Sequence, residues 1–194
     1  FTYTGANTAY TAMAGSTASN NKSVNYTLPA IMDDLSVAVS YSGQTTATNS
    51  TTAFGVTYTG VEGLSVSYGA GEAGSTTANT AADVTTMKAS YAIGSFTAAV
   101  SNTENDITGT GTDEEMSSWK LSYTVSDDLS VSYSESAYNA GDKASDEEHT
   151  MIGASYTMGS MSLAVSINNV DNVGGSTDTN DDVQGYEFAL SFVF

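Results

Sequence analysis

The chain has 194 residues, with 22 Asp and Glu against 4 Lys and Arg, a formal net charge of −18. All four cations are lysines (Lys22, Lys88, Lys120 and Lys143), too few and too scattered to neutralise phosphates, which excludes a nucleic-acid surface. Cysteine is absent and His149 is the one histidine, so disulfide frameworks, thiolate metal sites and His-rich centres are excluded too. Ser and Thr supply 28 residues each, beside 12 Tyr, 18 Gly and one Pro, a composition of strands and turns. No run approaches 18 apolar residues, so neither a transmembrane helix nor a retained signal peptide is expected. The length suggests a single domain over 1–194.

In chain order, a stub Phe1-Thr-Tyr-Thr4 precedes runs in which apolar residues alternate with small polar ones. A period of two predicts strands with one apolar and one polar face. Such strands are expected at roughly 22–28, 34–43, 51–59, 63–71, 84–93, 95–103, 116–126, 129–138, 149–158, 161–169 and 183–194. The clearest are Leu35-Ser-Val-Ala-Val-Ser-Tyr41, its shorter copies Leu64-Ser-Val-Ser-Tyr68 and Leu129-Ser-Val-Ser-Tyr133, and Met161-Ser-Leu-Ala-Val-Ser-Ile167. No stretch has a convincing helical period. Short connections (29–33, 60–62, Gly94, 127–128, 159–160) alternate strictly with long ones (5–21, 44–50, 72–83, 104–115, 139–148, 170–182). The pattern is a row of antiparallel hairpins, with short turns at one end and long loops at the other. Tyr26, Tyr58, Tyr91, Tyr123 and Tyr156 recur at intervals of 32, 33, 32 and 33 residues.

Alternation alone fits two folds. A soluble sandwich would bury the apolar rows in a core, whereas a membrane barrel would turn them to lipid and leave the Ser/Thr rows around an aqueous lumen. The tyrosines discriminate. Tyr26, Tyr58, Tyr91, Tyr123 and Tyr156 lie near the short turns, and Tyr41, Tyr68, Tyr133 and Tyr186 near the long loops. Two tyrosine belts flanking an aliphatic band suit the two interfaces of a bilayer, where the ring is in apolar surroundings and the hydroxyl is wet. The expected fold class is all-β: a transmembrane antiparallel β-barrel of about 12 strands, with short periplasmic turns and long extracellular loops.

Tyr186 to Phe194 is an alternating aromatic strand ending on Phe. It resembles the last strand of the Gram-negative outer-membrane porins, which typically ends in Phe and serves as an assembly signal. The segment Asn20-Asn-Lys-Ser-Val-Asn-Tyr-Thr-Leu-Pro29, followed by Leu35–Tyr41, is similar to the strand of the general porins that follows their inward-folded third loop. Lys22, Val24, Tyr26 and Pro29 match that pattern, with Leu28 where Ser is usual. The resemblance implies a trimeric, sixteen-stranded diffusion channel of which this chain would be the C-terminal two-thirds, lacking the first strands. A complete twelve-stranded barrel with a trimmed first strand is the alternative. It also makes Gly5–Asn21 the counterpart of the constriction loop. That segment carries no charge, unlike the acidic loop usual in the family, so a strong transverse field is in doubt.

By parity the pore-lining residues are expected to be Ser36, Ser40, Ser65, Ser67, Lys88, Thr97, Lys120, Ser122, Ser130, Ser132, Ser162, Ser166 and Glu187. Leu35, Val37, Val39, Leu121, Leu163, Val165, Leu190 and Phe192 are expected to face lipid. Fifteen of the 22 acids fall in the long connections: Asp113, Glu114, Glu115, Asp146, Glu147, Glu148, Asp178, Asp181 and Asp182, with Glu72, Asp83, Glu104, Asp106, Asp142 and Asp171. With those loops outside, the outer mouth should be strongly negative and concentrate cations. No cofactor is expected. Asp178–Asp182 and Asp113–Glu115 offer oxygen ligands without EF-hand spacing, which suits loosely held Ca²⁺ or Mg²⁺ bridging to lipopolysaccharide.

The function these features favour is an outer-membrane channel for small hydrophilic solutes and ions, modestly cation-preferring and without enzymatic activity. A secreted β-rich adhesin and an outer-membrane barrel hydrolase are the alternatives. The hydrolase would need His149 oriented beside a nucleophile, and only Ser145 and Thr150 stand near it in sequence, at the outer end of the strand expected over 149–158, where a lone histidine is usually just solvated.

Overall fold

The computed structural model describes residues 23–29, 32–43, 50–73, 82–107, 109 and 112–192. The stub at 1–4, the 5–21 segment, Lys22 and the terminal Phe194 lie outside the described residues. Eleven strands follow in chain order: β1 (Ser23–Thr27), β2 (Leu35–Ser42), β3 (Thr51–Tyr58), β4 (Leu64–Ala73), β5 (Ala82–Ile93), β6 (Phe96–Ile107), β7 (Glu114–Ser126), β8 (Leu129–Ala140), β9 (Glu147–Met158), β10 (Met161–Asp171) and β11 (Val183–Phe192). Their order in the sheet is their order in the chain. The chain divides into two compact units, Phe1–Ala89 with Ser101–Met116, and Ser90–Val100 with Ser117–Phe194.

Side-chain chemistry explains the turns. Gly94–Ser95, Asp127–Asp128 and Gly159–Ser160 each reverse the chain in two residues. Gly94 and Gly159 have φ of 55° and 59°, the left-handed region where glycine carries no Cβ penalty. Three short turns are also tied to the following hairpin. Asp34 O accepts Thr59 N–H (2.9 Å), Ser95 O accepts Thr124 N–H (2.8 Å) and Asp128 O accepts Thr157 N–H (2.8 Å).

The strands are longer at the other end than the sequence pattern suggests. β6 runs to Ile107, β7 starts at Glu114, β8 runs to Ala140, β9 starts at Glu147 and β10 runs to Asp171. Apolar alternation stops where one face no longer needs hydrocarbon, but the backbone ladder continues as long as the two chains stay adjacent. A tilted transmembrane strand needs about 9–11 residues, and β7 has 13.

Within the first unit the apolar face carries Val24–Tyr41, Tyr26–Val39–Phe54–Ala70, Val37–Val56–Tyr68 and Leu35–Tyr58–Val66 as cross-strand rows. Within the second it carries Met158–Met161–Phe192, Leu129–Tyr156–Leu163–Leu190, Val131–Ala154–Val165–Phe188 and Tyr133–Ile152–Ile167–Tyr186. These rows cover nothing. Tyr186 is 73% and Phe188 71% exposed, and the only buried hydrophobics among the described residues are Ala82 and Val84. A sandwich would have packed Leu, Val and Phe rows against one another. Here large apolar side chains point away from the sheet, the arrangement expected of a sheet whose outer solvent is lipid.

This face makes a stability prediction. Val165→Lys, in the middle of the apolar rows, should cost roughly 2–4 kcal/mol in lipid vesicles. Ala164→Lys, next to it on the opposite face, should cost on the order of 0.5 kcal/mol. Urea unfolding of both variants in vesicles measures the difference, and equal losses would contradict the assignment of faces.

Candidate functional site

The polar face is built from the alternate positions of the same strands. In the first unit Ser36, Thr57 and Ser67 form one row and Ser40, Ala53 and Gly71 another. The Thr57 and Ser67 hydroxyls share a hydrogen bond of 3.0 Å, and Ser65 has the parity of Ser67. Space on this face is tight in places, since a Cβ on Gly71 would lie 3.0 Å from Ala53 Cα. On β5 the side chains of Ala82, Val84 and Thr86 are buried. Thr86 shares a 2.9 Å hydrogen bond with Thr103, and Lys88 lies two residues further along the same face.

In the second unit Ser130 and Ser155 share a bond of 2.8 Å, and Ser162 pairs with Thr157. The next row is Ser132–Gly153–Ser166–Glu187. There Ser166 Oγ donates to Glu187 Oε2 (3.3 Å) while accepting from Asn168 Nδ2 (3.1 Å). Trp119 stacks near Tyr133, and Phe96 near Tyr123, on the apolar face. Parity therefore puts Lys120, Ser122 and Thr97 on the polar face. All thirteen expected pore-lining residues lie on the polar face of their strands. Within each unit these positions carry small hydroxyls and a few charges. A recess of about 500 Å³ in the first unit is lined mostly from the other face, by Val39, Phe54, Ala70, Glu72, Asp83 and Thr85 among others.

The acidic residues depart from expectation. Nine of the fifteen (Glu72, Asp83, Glu104, Asp106, Glu114, Glu115, Glu147, Glu148 and Asp171) stand on strand extensions, while Asp113, Asp142, Asp146, Asp178, Asp181 and Asp182 lie in connections. A strand extension has two faces, so its charges do not all overlook the mouth. Glu148 and Asp171 pair across β9 and β10 on the apolar-face side. Glu104 joins Asn102 there, opposite Thr103. Glu147 is not a solvated mouth charge at all. It is 8% exposed, and its Oε2 accepts Gly174 N–H at 2.6 Å. His149 Nε2–H donates to Glu147 Oε1 at 2.7 Å, so this strand-end histidine is half-enclosed rather than simply solvated.

Two carboxyls at the long-loop end have shifted proton affinities. The Asp178 side chain accepts Asn180 N–H (3.0 Å) and Asn180 Nδ2–H (2.5 Å), capping the 3-10 turn Thr179–Asp181. Those donors hold its pKa below the usual carboxylate value. Asp106, on the outer extension of β6, is pushed the other way, first by the charge of Asp113 and then by sharing a hydrogen bond with it. Asp113 Oδ1 also accepts Ile107 N–H at 2.9 Å.

The sequence reading missed Glu135. It stands on the apolar-face side of β8, accepting Trp119 Nε1–H at 3.0 Å and the Tyr133 hydroxyl. The parity of Leu129, Val131 and Tyr133 already placed it there. It begins a polar row, Glu135–Thr150–Asn169–Gln184, next to the tyrosine row. Gln184 donates to Asn169 (2.8 Å) and accepts the Tyr186 hydroxyl (2.9 Å). Among the described residues no group of three or more His, Asp and Glu is arranged to hold a metal ion.

A family model described as Gram-negative porin matches residues 1–192. The chain belongs to the Gram-negative porins. An anion-selective porin from Comamonas acidovorans superposes with a TM-score of 0.66 at 18% identity, over 77% of this chain and 48% of that one. OmpF of Salmonella typhi, in complex with daunomycin, gives 0.65 at 14% identity over 87% and 61% of the two chains. A loop-L8 deletion mutant of OmpT, an outer membrane protein of Vibrio cholerae, gives 0.58 at 23% identity over 88% and 62%. No curated protein sequence matches the chain. The chain thus spans roughly half to five-eighths of the length of these solved porins. Its fold is that of the outer-membrane β-barrel porins, and its place is the outer membrane of a Gram-negative bacterium, which corrects the secreted-adhesin alternative.

The shifted carboxyls predict opposite pH behaviour. Asp106 holds its proton more tightly folded than unfolded, so it opposes folding at neutral pH and ceases to do so below about pH 4. Asp106→Asn should therefore raise the unfolding temperature at pH 7 and lose that advantage at pH 3. Asp178, with its lowered pKa, stabilises its turn above about pH 4 and loses that contribution as pH falls further. Asp178→Ala should destabilise at pH 7 only. Thermal unfolding at the two pH values tests both signs.

Proposed function

We propose that this porin forms a passive-diffusion channel for small hydrophilic solutes and ions, without enzymatic activity, whose aqueous wall is the polar face. The observation that carries the reading is the pairing of an uncovered apolar face with an opposite face of Ser, Thr, Ala and Gly. Ser36, Ser40, Ser65, Ser67, Thr97, Ser122, Ser130, Ser132, Ser162 and Ser166 supply hydroxyls that replace bulk water without binding a solute tightly. Lys88, Lys120 and Glu187 nearly cancel one another, so the wall carries no strong filter. A hydrolase reading is disfavoured because Glu147 engages His149 Nε2, the nitrogen a serine triad turns to its nucleophile.

The intact protein is proposed to be a homotrimer of sixteen-stranded barrels, as the family resemblance implies; a trimer form of Vibrio cholerae OmpT shares the fold at 21% identity. The acidic segments Asp113–Glu115 and Asp178–Asp182 are proposed to bridge loosely to lipopolysaccharide phosphates through Ca²⁺ or Mg²⁺.

Cation preference follows from the net charge of −18, concentrated at the long-loop end, where water and salt screen it efficiently. Because several of these acids face outward, the preference should be modest. Replacing Asp113, Glu114, Glu115, Asp146 and Glu148 by Asn or Gln should lower the cation-to-anion permeability ratio at low ionic strength. It should change little at 1 M salt, where the Debye length is about 3 Å. Reversal potentials in planar bilayers measure this, and an anion-selective native pore at low salt would contradict it.

A further inference from the structure

Between β10 and β11 the chain does not leave the sheet as an open loop. Asn172, with φ of 55°, leads into the 3-10 turn Val173–Gly175, which packs against β9. Its side of attachment is set by Glu147, which pairs with Tyr138 and has the parity of His149 on the polar face. Glu147 Oε2 accepts the Gly174 amide at 2.6 Å, while Oε1 takes the imidazole N–H of His149 at 2.7 Å. A carboxylate gives up water at a high cost unless donors replace it. Here one donor comes from the wall and the other from the turn.

Other contacts hold the same turn. Asn172 Nδ2 donates to Asp146 O (3.0 Å), and Asn172 N–H to Asp182 Oδ1 (2.9 Å). Gly175 is buried, with φ of 75°, and a Cβ there would stand 3.0 Å from Ser145 O and closer still to Lys143. The rest of the connection closes on itself through Ser176 Oγ–H to Asp181 Oδ2 (2.7 Å).

We infer that Glu147 is a positioning residue that latches the β10–β11 connection over the polar face, making residues 172–182 part of the channel's outer wall. The inference rests on the proposed channel and assigns to it a second structural determinant of conductance. Glu147 does this through the oxygen that accepts the Gly174 amide. Its charge at the mouth is not the operative property.

Three variants of the intact protein separate these roles. Glu147→Ala removes the latch and the charge. Glu147→Gln removes the charge but keeps an acceptor for the Gly174 amide. Gly175→Ala leaves Glu147 untouched and displaces the turn by adding a Cβ against Lys143 and Ser145. Amide hydrogen exchange across 172–182 should accelerate about ten- to a hundred-fold in Glu147→Ala and Gly175→Ala, and Glu147→Gln should stay close to the native protein. In planar bilayers the first two should show enlarged conductance fluctuations and the third should not. If Glu147→Gln reproduces Glu147→Ala while Gly175→Ala is silent, Glu147 acts through charge and the latch is wrong. If the exchange pattern holds but the native protein conducts nothing, the latch stands and the channel reading fails.

Discussion

A peptide group in hydrocarbon has no water to bond, so each N–H and C=O of a membrane-crossing strand must find its partner on a neighbouring strand. Everything else in this porin depends on that requirement. Across β8–β11 the ladders run without interruption through the membrane-depth segments, as in the ten consecutive pairs between β10 and β11 from Met161–Phe192 to Val170–Val183. With the backbone satisfied, the side chains need only suit the medium on each side. Leucine, valine and phenylalanine take one side, and serine, threonine and glycine the other. Such a sheet has no need of an apolar core, and among its described residues it has almost none.

The same requirement relaxes at the long-loop end, and the chemistry changes there in an orderly way. On the apolar-face side of β8–β11 the aliphatic rows give way to Tyr133 and Tyr186, then to the polar row Glu135–Thr150–Asn169–Gln184, and then to Glu148 and Asp171. Tyrosine can satisfy both media, which is why it marks the boundary. Glu135 is accommodated at this level because Trp119 and Tyr133 donate to it, where a lone carboxylate deeper in the band would be penalised. Beyond the boundary the ladder persists on its own hydrogen bonds, and acids occupy it because both faces are wet.

Much of this was legible in the sequence. Period-two alternation gave the strand positions, the strict alternation of short and long connections gave the antiparallel order, and the two sets of tyrosines distinguished a membrane sheet from a sandwich. Ser166 and Glu187 were placed on one face by parity alone, and they are hydrogen-bonded there. What pattern could not supply was the end of each strand. Glu114, Glu147 and Asp171 read as loop because acids are poor strand formers and break the apolar alternation, yet a ladder in water tolerates them. Nor could it supply the Glu147–His149–Gly174 arrangement. Its partners are 27 residues apart in sequence, and nothing local distinguishes Glu147 from its neighbours Asp146 and Glu148. Only the fold of the β10–β11 connection separates a buried acceptor from two exposed charges.

One face of each strand meets lipid and the other meets water. The chain contains no cysteine, so single cysteines introduced along β10 react without background from these 194 residues. With the intact protein in lipid vesicles, Ser162→Cys, Ala164→Cys and Ser166→Cys should react with a small water-soluble thiol reagent. Leu163→Cys, Val165→Cys and Ile167→Cys should be protected from it and should react instead with a membrane-dissolved one. Strict alternation over these six positions is the predicted result. Protection from both reagents at 163, 165 and 167 would mean that the apolar face is packed against protein, and would contradict the account.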